Sequence, residues 1–225
     1  MRSASTLPLA LAFLSGYVDT AVFVHMNGLF VAHVTGNFVL LGTLVAGADV
    51  MHGSATMLQI ISFPLFFVAA AAGAVIATRV GTERRTPVLL WTTATLTFVA
   101  GAAALPSIVS EGLLAMTLVV AMGLLNAAHR LDKTLGAPFT VMTGNVTSVA
   151  IGVAQMLGLA ADHPGSDNVA TIPPFLRLIA GFAGGCALGA IVQSFLGLAA
   201  MILPALLLAL VLAAGKRMPE PSNSV

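Results

Sequence analysis

The residues of this chain with the most chemical potential are few, and they sit where polar groups are costly. Asp19 is the one acidic residue well inside an apolar run. A charged carboxylate at mid-membrane costs about 2.5–3.5 kcal/mol on insertion scales, so it normally faces a cavity or a partner. It could carry a proton or bind a cation. It could equally be a structural hydrogen-bond acceptor, or a carboxyl kept neutral. Asn37 and Asn145 each close a Thr-Gly-Asn triplet, Thr35-Gly36-Asn37 and Thr143-Gly144-Asn145, set in apolar sequence. An amide donates and accepts, which suits a polar solute or cation and also suits freed backbone. His33, four residues before Asn37, would share its face on a helix. It could shuttle protons or make a plain interhelix hydrogen bond.

The triplets belong to a larger pattern. About twenty residues before the first lies Gly16-Tyr17-Val18-Asp19, and at the matching place before the second lies Gly123-Leu124-Leu125-Asn126. The offsets agree within one residue, which reads as an internal duplication. Asn126 then stands where the first half has Asp19, so one copy works with an amide. Counted from the triplet, Val141 stands where the first half has His33. The expected site is a shared polar centre between the halves. Asn37, Asn145 and Asn126 would bind a solute there, with Thr35 and Thr143 secondary. Gly36 and Gly144 would let the backbone turn. Asp19 and His33 would couple the site to protons or a cation. The competing reading has each asparagine satisfying backbone only, and each threonine hydroxyl bonding a carbonyl one turn away.

The elements around these residues must be membrane helices. Of 225 residues, 58% are hydrophobic and 8% charged, with a mean hydropathy of +1.02. A soluble domain carries about a quarter charged residues, so this is an integral membrane protein. Continuous Leu, Ala, Val, Phe and Gly runs argue for helices, and the alternation of a barrel is absent. The net charge of +1 implies no nucleic-acid partner. Cys186 stands alone and forms no internal disulfide. The first apolar stretch superficially resembles a signal peptide. Gly16, Tyr17 and Asp19 interrupt it, and Asp19 has a counterpart in Asn126, so it is expected to be mature structure.

Eight apolar segments can be drawn, at about 7–26, 29–47, 57–80, 87–105, 112–129, 138–160, 174–195 and 197–214. They form one membrane domain over 1–225, with repeat one at about 7–105, repeat two at about 112–214, and a disordered tail at 215–225. Turns are expected at His25 to Gly28 and Pro106 to Glu111, and polar loops at Asp49–Ser54, Thr82–Pro87, Asp132–Pro138 and Asp162–Pro174. If all eight segments span, the halves are parallel and the basic residues divide between the two sides. If segments two and six instead enter and leave on one side, all nine Lys and Arg fall on one side. The positive-inside rule favours six spans, opposed halves and re-entrant Thr-Gly-Asn segments. Split at Gly36, segment two gives pieces of about 7 and 11 residues, or roughly 10 and 16 Å. An unbroken span of the same length remains open.

Gly181, Gly185 and Gly189 recur every four residues, as do Ala69, Gly73 and Ala77. Small residues at this spacing let helices approach closely, inside one protomer or across a homodimer. Gln59, Gln155 and Gln193, and His25 and His129, lie near segment ends and are read as interfacial. The sequence has no metal-ligand cluster, cofactor motif or enzyme signature, so no catalytic activity is expected.

With Gly16-Tyr17-Val18-Asp19, Val31-Ala32-His33-Val34-Thr35-Gly36-Asn37 and Met142-Thr143-Gly144-Asn145 in view, the chain resembles the YoaK family of uncharacterised bacterial inner-membrane proteins. The resemblance runs from about Leu9 to Ala213. It implies a multi-pass protein of the bacterial inner membrane and brings no substrate. The residues themselves lead to an all-α polytopic protein that moves a small solute through a pseudo-symmetric site. A non-transporting scaffold or sensor that binds a protein partner is the alternative.

Overall fold

A computed structural model describes residues 6–47, 55–161 and 172–215. The described residues contain no strand and eight α-helices. These are α1 (Thr6–His25), α2 (Thr35–Val45), α3 (Ala55–Val80), α4 (Thr82–Ala104), α5 (Glu111–Leu131), α6 (Met142–Met156), α7 (Ile172–Leu196) and α8 (Ile202–Gly215). Short 3-10 turns lie at Lys133–Leu135 and Gly197–Met201. The protein is an all-α polytopic membrane protein, because apolar helices satisfy their own backbone in lipid. Among the described residues, five helical stretches are long and apolar enough to cross a bilayer. The last runs 44 residues, from Ile172 to Gly215. It folds back at Gly197, whose φ of 55° is left-handed, so it supplies two stretches that traverse the bundle, and the described residues supply six in all.

Contacts at the helix ends fix the directions. Thr6 and Leu7, Thr86 and Pro87, and Leu212, Ala214 and Gly215 border one cavity of about 580 Å³. The start of α1, the start of α4 and the end of α8 therefore share one end of the bundle. The end of α5 joins them, since Thr86 Oγ1 donates to Asp132 Oδ2 at 2.6 Å. At the other end His25, Ser110, Glu111, Leu196 and Gly197 border a polar cavity of about 400 Å³. Helices α4 and α8 run antiparallel: Gly101 meets Ile202, whereas Leu90 and Trp91 lie beside Leu210 and Val211. Two parallel halves of four full spans would make them parallel, so the eight-span arrangement does not fit. Among the described residues, Arg79, Arg84, Arg85, Arg130, Lys133 and Arg177 all lie toward the end where α1 starts.

The core forms by reciprocal packing. Helix α1 lies along α7, and α5 lies along α3. A Cβ on Gly16 would strike the carbonyl oxygen of Phe182, and one on Gly123 would come within 3.0 Å of the Phe66 carbonyl oxygen. Cβ atoms on Gly185 and Gly189 would strike the backbone of Phe13 and Tyr17, and one on Gly181 would meet Leu9. Gly73 faces Ala127 in the same way. The small-residue ladders thus close contacts inside the protomer.

Segments two and six differ from continuous helices. Residues 29–34 are irregular, and Leu29, Val31, Ala32 and Val34 are buried. Only 11 residues, Thr35–Val45, then form a helix. Segment six repeats this, with an irregular run to Val141 and 15 helical residues after it. The breaks precede the triplets and do not fall at Gly36 or Gly144. A glycine with positive φ stands where each segment turns inward, Gly28 (φ 110°) before segment two and Gly136 (φ 80°) before segment six. Gly36 has a different role, because a Cβ there would come within 2.7 Å of the Phe30 ring. The expected loop at 49–54, residues 162–171 of the loop expected at 162–174, and residues 216–225 of the expected tail lie outside the described residues; Ile172 to Pro174 instead open α7, Thr82 to Pro87 open α4, and Gly215 ends α8.

Candidate functional site

Each irregular run needs partners for backbone that no helix satisfies, and the singled-out polar residues supply them. Asp19, in the second half of α1 and 3% exposed, accepts from Val31 N and Ala32 N through Oδ1, both at 2.7 Å. Its Oδ2 lies 2.7 Å from His33 Nδ1. Asn37 is fully buried; its Oδ1 accepts from Phe30 N at 2.9 Å, and its Nδ2 donates to Phe30 O and to Ser62 Oγ, each at 2.8 Å. Asn145, 2% exposed, donates to Pro138 O at 2.7 Å. Both asparagines thus hold the carbonyl seven residues earlier, and Pro138 has no N–H to complete the second bond seen at Phe30.

The turns into the segments are held from α3 and α5. Gln59 Nε2 donates to Gly28 O at 2.7 Å, and His129 Nε2 lies 3.1 Å from Gly136 O. Gln59 and His129 are 2% and 6% exposed, and both lie near helix ends, Gln59 at the start of α3 and His129 at the end of α5. The sequence shows that each lies near a segment end, but not the carbonyl that each one holds.

Segment two leaves α1 at Gly28, reaches the depth of Asp19, and returns toward the start of α3, where Gln59 bonds Gly28. That is the end at which α1 finishes. Segment six leaves the end of α5 and reaches Thr140. Helix α6 then runs back until Gly152 packs on Ile172, at the start of α7. The two segments therefore dip in from opposite ends. They meet where His33 Nε2 lies 2.8 Å from Thr140 O. Thr140 Oγ1 in turn donates to Asn126 Oδ1 at 2.8 Å, and Asn126 Nδ2 donates to Met122 O within its own helix.

His33 lies in the irregular run ahead of α2, so it does not share a helix face with Asn37. Its counterpart by contact is Thr140 and not Val141. Asp19 to His33 and Asn126 to Thr140 are both separations of 14 residues, and His33 and Thr140 are 107 apart, the spacing from Asp19 to Asn126. One extra residue lies between Thr140 and Asn145, which conceals this when counting from the triplet. Thr140 and Ser62 are the members of the network that sequence reasoning misses. The spacing of 14 was the available signal for Thr140, and nothing local marks Ser62.

The structure brings Asp19, His33, Asn126 and Thr140 into one chain of hydrogen bonds. It places Asn37 and Asn145 beside that chain as clasps on the backbone. Thr35, Thr143 and Gly144 are exposed at the first turns of α2 and α6, and Gly36 is half-buried against Phe30. The partial positive charge of both helix starts is directed toward the meeting point. His33 keeps 28% of its side chain exposed, against 5% for Asp19.

A family model described as a protein of unknown function (DUF1275) matches residues 7–214. No curated protein and no solved structure matches the chain.

Proposed function

Because the chain belongs to this family of unknown function, DUF1275, whose description supplies no activity, we propose from the geometry that it is a non-enzymatic transporter or channel for a small solute, coupled to protons. In this reading the two halves are repeats inserted in opposite senses, and their re-entrant segments form the barrier between the two faces. The observation that carries it is the contact of the two segments at a carboxylate–imidazole pair deep in the bundle. Irregular backbone at membrane depth is tolerated where it is buried in protein or lines a cavity, and half-helices of this kind surround solute sites in transporters. An ionisable residue there marks a pathway or proton relay by default.

Asp19 and His33 are the coupling pair. Asn126 and Thr140 complete the centre, and Thr35, Thr143 and Gly144 border the path. Asn37, Asn145 and Gly36 shape the segments, and their contact with solute is indirect. The basic end faces the cytoplasm by the positive-inside rule, which puts the start of α1 and the end of α8 on the cytoplasmic side of a bacterial inner membrane. The partners are then the bilayer and the solute.

The test is stopped-flow light scattering of proteoliposomes over a panel of small neutral, cationic and anionic solutes. At least one solute should enter faster than into empty vesicles, and Asp19→Asn should abolish the pH dependence of that entry. No acceleration with any solute, from protein that is folded and inserted, would sink the reading. The scaffold or sensor alternative draws on the burial of both triplet asparagines, and that result would favour it.

A further inference from the structure

The partners of His33 constrain its protons. Nε2 faces the carbonyl oxygen of Thr140, which can only accept, so Nε2 must carry a hydrogen. Nδ1 faces Asp19 Oδ2 at 2.7 Å, a separation that needs one proton between them. Asp19 Oδ1 is already occupied by two backbone N–H groups. The arrangement therefore holds two protons on the pair, whether written as imidazolium with carboxylate or as imidazole with carboxylic acid. Removing one leaves a single proton for two nitrogens. Placed on Nε2, it would set the Nδ1 lone pair against a carboxylate, the stronger repulsion. It goes to Nδ1, and Nε2 then turns a lone pair on the Thr140 carbonyl.

We propose that the Asp19–His33 pair is a proton site that clasps the two re-entrant segments together: a bound proton closes the contact between His33 and Thr140, and its release opens it. This rests on the re-entrant arrangement in the functional reading above and adds the step by which a proton would act on it. The proton leaves to water reaching the exposed edge of His33, and no other bond changes. Among the described residues the titratable group in contact with His33 is Asp19 from α1, and the thiol of Cys186 from α7 lies beside Asp19 and Thr20. The edge of Phe182 from α7 completes the surroundings, with ring centroids 5.5 Å apart. Thr140 is anchored behind by Asn126, so losing the His33 bond frees one tip while the other stays tied to α5.

Spin labels report this without a solute. In a Cys186→Ala background, cysteines replace Val39 on α2 and Val146 on α6, both exposed at 69% and 51%. The distance between the labels is read in nanodiscs at acid and alkaline pH, on either side of the range in which imidazole titrates. The clasp predicts one short distance at acid pH, and a several-fold loss of that population in favour of a longer one at alkaline pH. Asp19→Asn, whose amide donates to Nδ1 and leaves the hydrogen on Nε2, should stay at the short distance throughout. His33→Gln should lose the pH response, and it carries the test if Asp19→Asn does not fold. An unchanged wild-type distance, or a pH response that survives in either variant, overturns the proposal. A clasp in a protein that moves no solute, and transport without a clasp, give different pairs of results in the two experiments.

Discussion

At Asn37 every amide hydrogen stays inside the fold, and the carbonyl oxygen holds Phe30 N. Asn37→Ala therefore orphans both backbone groups of Phe30, each costing about 1–3 kcal/mol when buried. The expected loss is about 2–4 kcal/mol in detergent unfolding. Asn145→Ala, which orphans the Pro138 carbonyl, should lose about half as much. Equal effects would contradict the clasp account. A second residue-scale expectation concerns Asp132, at the aqueous end of α5. Burial opposes its ionisation, but hydrogen bonds from Thr134 and Thr86 and the nearby Arg85 outweigh this and hold its carboxyl below the usual range. A depressed folded value means that these bonds stabilise the protein above the ordinary carboxylate value of about 4. The contribution fades as pH falls through the lowered value. Asp132→Asn should flatten the acid limb of a plot of melting temperature against pH, and an unaltered limb would remove Asp132 from that account. The polar residues themselves were legible in the sequence, because an Asp or Asn in hydrocarbon stands out. Their partners were not: Asn37 meets Ser62 across 25 residues and His33 meets Thr140 across 107, and no local periodicity encodes either distance.

The helices obey packing rules that the sequence showed only as spacing. Gly185 and Gly184 are neighbours with opposite surroundings: a Cβ on the first collides with the backbone of Phe13, and one on the second meets nothing within 4 Å. Alanine is favoured over glycine inside a helix by about 1 kcal/mol, so Gly184→Ala should leave the melting temperature unchanged or raise it. Gly185→Ala should lower it, because overpacking costs about 1–3 kcal/mol and here the obstacle is main chain. The same shift for both would mean that α1 and α7 do not approach as described. Spacing of small residues revealed a close contact, but not that its partner was α1 rather than a second copy of the chain. Length misled in another way. Nineteen apolar residues at 29–47 suit a span, yet the structure gives them an irregular run and 11 helical residues. Hydropathy reports where a segment lies, and here the satisfaction of backbone by Asp19 and Asn37 decides its shape.

For the molecule as a whole, the claim that governs the rest is that the two re-entrant segments enter from opposite faces. The basic residues carry that expectation by themselves, since one topology gathers them at one end and the other divides them. The antiparallel course of α4 and α8 agrees with gathering. The direct measurement is sidedness. In a Cys186→Ala background, Ala46→Cys at the end of α2 and Ala160→Cys just beyond α6 place single thiols at exposed positions. Intact cells are treated with an impermeant thiol reagent. The account predicts labelling at position 46 from outside, and labelling at position 160 only after the membrane is permeabilised. Reaction of both from the same side would contradict opposed halves, and with them the meeting of His33 and Thr140 between the two faces.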